Sequence, residues 1–149
     1  MDSGFILLVN GPNLNMLGIR EPEKYGKKKL TEITDEVEKI AQGSGFKIKS
    51  FQSNHEGELV DFIQSEGMEA KGMVINAGAL THTSIALRDA ILSVKIPFTE
   101  IHISNIFARE NFRHISYLSD IAVGLISGFG ENSYYLGIKA MIDFIQNNR

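Results

Sequence analysis

Phe5-Ile6-Leu7-Leu8-Val9 and Gly72-Met73-Val74-Ile75 are the two stretches on which the fold turns. Each is apolar or glycine throughout, and each runs into an asparagine, Asn10 and Asn76. A strand with one wet face alternates apolar and polar residues. A run without alternation predicts a strand covered on both sides, as in parallel sheets packed under helices. Three more runs, Phe46–Phe51, Phe98–Ile103 and Ile121–Ile126, bring the set to five. Ile121–Ile126 is again nearly continuous and reads as covered on both faces. Phe46–Phe51 is interrupted by Lys47 and Lys49 and reads as an edge strand.

The intervals between these runs carry helical spacing. Leu30, Ile33, Val37 and Ile40 recur at three- and four-residue steps, with Thr31 as a candidate N-cap. Leu59, Phe62 and Ile63 form a second stripe. Ile85, Leu87, Ala90, Ile91 and Val94 form a third, starting near Thr81 or Ser84, and Ile138, Met141, Ile142 and Ile145 form the last. Strand alternating with helix implies right-handed crossovers. The expected fold is α/β and flavodoxin-like, a five-stranded parallel sheet with helices on both faces. The 149 residues suit one catalytic domain spanning 1–149, without repeat or linker. One interval breaks the rhythm. Residues 11–29 hold Gly11, Pro12, Gly18, Pro22 and Gly26 and make a 19-residue connection, against about 2–6 residues for an ordinary βα loop. A loop of that length in a compact domain predicts an active-site lid.

Bulk chemistry excludes several classes. The net charge is −3, with no basic bias to attract nucleic acid. The absence of cysteine rules out disulfides and thiolate metal sites. The longest apolar runs are far too short to span a membrane, and the first residues carry no basic segment ahead of a long apolar one. A cytoplasmic protein is expected. No Walker A pattern occurs. Gly128-Phe129-Gly130 meets Ser133 where a dinucleotide fingerprint needs its third glycine, and His55-Glu56 meets Leu59 where a zincin needs histidine. No serine sits in a Gly-x-Ser-x-Gly elbow. Nothing in the sequence calls for a metal or an organic cofactor.

Ligands of open α/β sheets bind at the carboxyl ends of the strands. Asn10, Asn13 and Asn15 follow the first run, Asn54 and His55 the second, and Asn76 with the 77–84 segment the third. Glu100, His102, Ser104 and Asn105 belong to the fourth. Asparagine and serine at strand ends also make turns, but two histidines added to the set point to one polar edge. Strand alternation puts Glu100, His102 and Ser104 on one face. A carboxylate two residues away can orient one imidazole nitrogen and support a general acid. Arg20 in the long loop and Arg109 and Arg113 after the fourth strand form a candidate anion-binding group, whereas Lys27-Lys28-Lys29 reads as a solvated run.

The segment Asn10-Gly11-Pro12-Asn13-Leu14-Asn15-Met16-Leu17-Gly18-Ile19-Arg20, followed by Tyr25-Gly26, resembles the opening motif of type II 3-dehydroquinate dehydratases. Ile75-Asn76-Ala77-Gly78-Ala79, Thr81-His82-Thr83-Ser84 and Arg88-Asp89-Ala90 resemble a second block of that family. Glu100-Ile101-His102-Ile103-Ser104-Asn105, Arg109-Glu110 and Phe112-Arg113 resemble a third. The likeness covers nearly the whole chain. It implies loss of water from 3-dehydroquinate to give 3-dehydroshikimate, without cofactor or covalent intermediate, in the shikimate pathway. By motif position, Tyr25 would remove the C2 proton and Arg20 would lower its pKa. His102 would protonate the departing hydroxyl, Glu100 would orient His102, and Asn13 would help stabilise the enolate through a water. Asn76, Ser104 and the backbone of Ile103 would hold the substrate carboxylate, and His82 and Arg113 the ring hydroxyls. Asp89 would reach a neighbouring subunit's site, since the resemblance implies a dodecamer of trimers. Phe107 departs from the histidine often found at its position, and the 128–135 stretch looks individual.

The residue types suit that chemistry. Tyrosine titrates near pH 10, so use as a base near neutrality needs a depression of about 3 units, roughly 4 kcal/mol. An arginine in a shielded site can supply much of that. A Schiff-base route would need a lysine at the site. Lys71 and Lys95 instead precede strands, at the opposite edge, and Lys47 and Lys49 lie in an edge strand. Two other readings fit the residues: the same reaction in quinate breakdown, and a non-catalytic flavodoxin-like module with an anion pocket. The second has no use for both Tyr25 and His102.

Overall fold

The computed structural model describes residues 2–19, 23 and 27–147. Its regular elements are β1 (Phe5–Asn10), α1 (Leu30–Gln42), β2 (Lys47–Gln52), α2 (Glu56–Glu66), β3 (Gly72–Asn76), α3 (Ile85–Val94), β4 (Phe98–His102), β5 (Gly124–Ser127) and α4 (Asn132–Asn147). The sheet is parallel throughout, in the order β2-β1-β3-β4-β5. This is the expected flavodoxin-like α/β architecture, and β1, β3 and β4 are the strands buried on both sides.

Alternation along the central strands divides the core in two. Ile6, Leu8, Val74 and Ile101 face α1 and α4, meeting Ile33, Val37, Ala41, Ile138 and Met141. Leu7, Val9, Met73, Ile75 and Phe98 face α2 and α3, meeting Leu59, Ile63, Leu87, Ala90 and Ile91. The helical stripes read from sequence are therefore the buried faces, except that Ile85 at the start of α3 is exposed. α4 approaches the sheet closely at Gly137, where a β-carbon would lie 2.8 Å from the Ile101 side chain.

Three local expectations are corrected. Helix α1 begins at Leu30, so Thr31 lies inside its first turn; the cap position is Lys29, whose N–H donates to the Glu32 carboxylate at 3.1 Å. The Ile121–Ile126 run does not form one covered strand. Ser119–Ile121 is a 3-10 turn, and β5 holds only Gly124–Ser127. As the last strand in the sheet β5 has a free edge, and Val123 and Leu125 stay exposed. The long connection after β1 is not plain loop either, since Leu14–Met16 forms a 3-10 turn.

The turns that carry the site lock against each other. The Gly11 N–H donates to the Asn76 carbonyl at 2.8 Å, and a β-carbon on Gly11 would fall 2.2 Å from the Ala77 carbonyl oxygen. Only glycine allows the exits of β1 and β3 to come this close.

Candidate active site

The carboxyl ends of β1, β3 and β4 open into a pocket lined by Asn13, Asn76, His82, His102, Ser104 and Arg113, among others. Ile103 and Arg109 complete its rim on the β4 side.

Glu100 and His102 share a face of β4, and the His102 Nε2 lies 2.5 Å from Glu100 Oε2. Glu100 is fully buried. A bare carboxylate there would be costly, so its oxygens must be bonded. Beyond His102, Thr81 Oγ1 donates to Oε2 at 3.1 Å, Ser119 Oγ to Oε1 at 2.6 Å, and Ser116 Oγ lies 3.0 Å from both oxygens. Burial pushes the Glu100 pKa up, but His102, Ser119 and Ser116 outweigh it and hold the carboxyl below its usual range. An ionised carboxylate only accepts, so the His102 Nε2 carries hydrogen and Nδ1 is the nitrogen left for the pocket.

His82 is arranged the other way round. Its Nδ1 sits 2.8 Å from the Ile115 carbonyl, which can only accept, so Nδ1 carries hydrogen and Nε2 keeps its lone pair. Burial lowers the pKa of His82, and the nearby His102 and Arg113 push the same way against the Ile115 carbonyl and Glu100. A neutral ring results, able to accept from a ligand hydroxyl. The two imidazoles lie nearly parallel, 6.3 Å apart with planes 15° from each other.

The amide side of the pocket is fixed from α4. Asn76 Nδ2 donates to the Tyr134 hydroxyl at 3.0 Å, while its Oδ1 accepts the Gly78 N–H at 3.2 Å. The Tyr134 hydroxyl donates in turn to Asn10 Oδ1 at 2.5 Å. Burial drives the Tyr134 phenol far above its usual pKa, so it remains a neutral donor. Asn13 takes a left-handed conformation, φ 72°, with its N–H donated to Asn54 Oδ1 at 2.9 Å. Arg109 Nη1 donates to Ser104 Oγ at 3.2 Å, and Arg113 Nε to Glu110 at 2.8 Å.

Of the residues singled out in the sequence, Asn13, Asn76, His82, His102, Ile103, Ser104 and Arg113 line this pocket, and Glu100 stands behind His102. Arg20 and Tyr25 lie outside the described residues. Asp89 is exposed on α3 and does not line this pocket. Four other strand-end residues do not line the pocket. Asn54 holds the Asn13 N–H, Asn105 accepts the Phe107 N–H, His55 precedes α2, and Asn15 is exposed within the 3-10 turn. Ser116, Ser119 and Tyr134 are not singled out by the sequence, and Thr81 only as a helix start and motif position, not as a partner of Glu100. The only available signal was that a buried carboxylate and buried amides must find partners somewhere in the chain. Among the described residues no group of three or more His, Asp or Glu is placed to hold a metal ion.

Fold and site define a flavodoxin-like α/β protein with a pocket at the carboxyl edge of its sheet, where a buried carboxylate backs a histidine. The chain belongs to the class II dehydroquinase family, whose model matches residues 4–142. A 3-dehydroquinate dehydratase of Prochlorococcus marinus subsp. pastoris is 56% identical over 143 residues, covering 96% of this chain and 98% of that relative. The type II dehydroquinase structure from Butyrivibrio crossotus superposes with a TM-score of 0.88 at 42% identity, covering 92% of this chain and 96% of the other. That from Propionibacterium acnes gives 0.89 at 34% identity, with 95% and 98% covered.

Proposed function

We propose that this protein dehydrates 3-dehydroquinate to 3-dehydroshikimate by acid–base catalysis through an enolate, without a Schiff base. The observation that carries the reading is the Glu100–His102 pair at the pocket edge, in a chain of this family. In this mechanism Tyr25, made acidic by Arg20, takes the C2 proton. The enolate oxygen is stabilised by a water held by Asn13. The His102 Nδ1–H then protonates the C1 hydroxyl as the carbon–oxygen bond breaks, and Glu100 stabilises the positive ring beforehand. Asn76, Ser104 and the Ile103 backbone bind the carboxylate; neutral His82 and Arg113 bind ring hydroxyls. The described lysines that the Schiff-base route would draw on, Lys71 and Lys95, are exposed and precede β3 and β4 at the opposite edge, which supports the non-covalent course. The segment of about 11–29 acts as a lid on the single domain.

The test is direct. Added 3-dehydroquinate should develop the ultraviolet absorbance of a conjugated enone, and a well-folded preparation that develops none would sink the reading. Tyr25→Phe should abolish turnover while leaving product binding largely intact; undiminished turnover would remove Tyr25 from its role.

The reading assigns the step to the cytoplasmic shikimate pathway toward chorismate and the aromatic amino acids. Deleting the gene should create a requirement for those amino acids. A deletion strain that grows without them but not on quinate would move the step to catabolism. We also propose a homo-oligomer, a dodecamer of trimers in which Asp89 reaches a neighbour's site. Exposed Ile85, Leu92, Val123 and Leu125 on α3 and around β5 support a buried subunit contact. A light-scattering mass of one protomer would overturn it. No helix among the described residues is long and apolar enough to cross a membrane.

A further inference from the structure

One short segment touches both histidine systems. Residues 115–119 supply the Ile115 carbonyl to His82 Nδ1, and the Ser116 and Ser119 hydroxyls to Glu100, which holds His102 Nε2. The segment is itself pinned. Tyr117 N–H donates to the Thr81 carbonyl at 2.8 Å, and Ser116 Oγ accepts the N–H groups of Leu118 and Ser119 at 3.0 and 3.1 Å. Arg88 on α3 grips it from outside, donating to the Tyr117 carbonyl at 2.9 Å and pairing with Asp120.

We infer that the 115–119 segment is a positioning strap that sets which nitrogen of each histidine faces the pocket, with Ser116 and Ser119 acting through Glu100. This deepens the acid–base reading above and rests on it for its kinetic consequences. The logic is one of donors and acceptors. A carbonyl can only accept, so Ile115 forces hydrogen onto His82 Nδ1 and leaves Nε2 a lone pair. Hydroxyl donors keep Glu100 an acceptor, which forces hydrogen onto His102 Nε2 and leaves Nδ1 to exchange a proton with the ligand. One strap thus turns opposite nitrogens of two nearly parallel rings to the pocket. The titratable groups facing Glu100 are His102 on its own strand and His82 on the 78–82 turn, with Arg113 acting on His82 from the 111–113 turn.

Ser119 is the cleaner probe, because its hydroxyl bonds Glu100, whereas Ser116 also caps two backbone N–H groups. In Ser119→Ala, kcat should fall about tenfold with KM changed less than about twofold, since one charge-assisted hydrogen bond is lost behind the acid. The acid limb of the kcat profile should move to higher pH, because Glu100 then takes up a proton more readily. Ser119→Thr, which restores the hydroxyl, should return both. The second readout needs no turnover. Magic-angle-spinning NMR of the sedimented wild-type protein, labelled with 15N-histidine and assigned by single His→Gln variants, should show Nε2 protonated in His102 and Nδ1 protonated in His82. In Ser119→Ala the His102 signal should divide between tautomers. An unchanged pH profile and unchanged nitrogen signals, alongside a lowered melting temperature, would overturn the strap and leave Ser119 a structural residue. If Ser116→Ala does not fold, Ser119→Ala still decides. If the wild type does not convert 3-dehydroquinate, the functional reading falls and the nitrogen signals judge the strap alone.

Discussion

Replacing Tyr134 with phenylalanine removes one oxygen from the centre of a dry network and keeps the ring that packs beneath α4. The hydroxyl donates to Asn10 Oδ1 at 2.5 Å and accepts from Asn76 Nδ2 at 3.0 Å. All three residues are at most 3% exposed, so water does not substitute for the missing oxygen. An orphaned buried polar group costs about 1–3 kcal/mol. The Gly78 N–H bonds Asn76 Oδ1 and does nothing for the orphaned Nδ2, so each amide bears about 1–2 kcal/mol and the two together about 2–4 kcal/mol. For a domain of this length each kcal/mol lowers the melting temperature by about 2–4 °C, which gives a drop of roughly 5–15 °C. The assay is urea unfolding and calorimetry of Tyr134→Phe and wild type at one protomer concentration, because any subunit association shifts both curves. KM should rise as well, since Asn76 loses the partner that aims its amide. A stability loss under about 0.5 kcal/mol with KM unchanged would refute the network as the support of the amide side.

Three other outcomes are expected. Glu100→Gln turns an amide donor toward hydroxyls and an imidazole N–H that need an acceptor, so kcat should fall by about 100- to 1,000-fold in initial-rate measurements; a loss under tenfold would show that His102 needs no anionic partner. Acid sensitivity should appear in two parts when urea midpoints are measured against pH. Folded His82 resists the proton that the unfolded ring takes near pH 6.5, so stability falls as pH drops through that value, and His82→Gln should flatten this part. Glu100, held below its ordinary 4.5, stabilises the fold fully above that pH and loses the contribution as pH falls through the lower folded value, the part that Glu100→Gln should remove. Gly11→Ala would press a β-carbon to 2.2 Å from the Ala77 carbonyl oxygen, and should cost about 3 kcal/mol or more or leave no soluble protein; a normal unfolding midpoint would deny that the two exits must touch.

The sheet was legible because burial on both faces leaves a direct mark. Phe5–Val9 and Gly72–Ile75 lack polar interruption and are enclosed by helices; β4 is enclosed as well, although Thr99, Glu100 and His102 interrupt its apolar run. Ile121–Ile126 carries the same mark, but only Ile121, Ala122 and Ile126 pack against the core while Val123 and Leu125 are exposed, so apolar composition overstates its burial. His102, Glu100 and Asn76 could be found from strand ends, since two-residue alternation and the edge rule fix where such side chains go. Ser116, Ser119 and Thr81 could not. They reach Glu100 from 16 to 19 residues away, through turns that have no periodicity to read. Tyr134 is more distant still, 124 residues from Asn10, and its stretch looked individual when read alone.

The division of the site follows from the same alternation that built the sheet. Asn10 and Asn76 fall in register with Ile6, Leu8 and Val74 and turn toward α4, where Tyr134 holds them. Glu100 and His102 fall in register with Phe98 and turn toward α3, where the 115–119 segment closes over them. The Asn76 amide and the His102 ring can then be held by separate supports on opposite faces and still meet at the sheet edge. The Tyr134 support is buried, and the partly exposed 115–119 support is held by its own hydrogen bonds, so each can specify orientation without strain on the other. This explains why a short chain can place a neutral histidine 6.3 Å from one backed by a carboxylate. The difference between the rings is set by what stands behind them, a carbonyl in one case and an anion in the other.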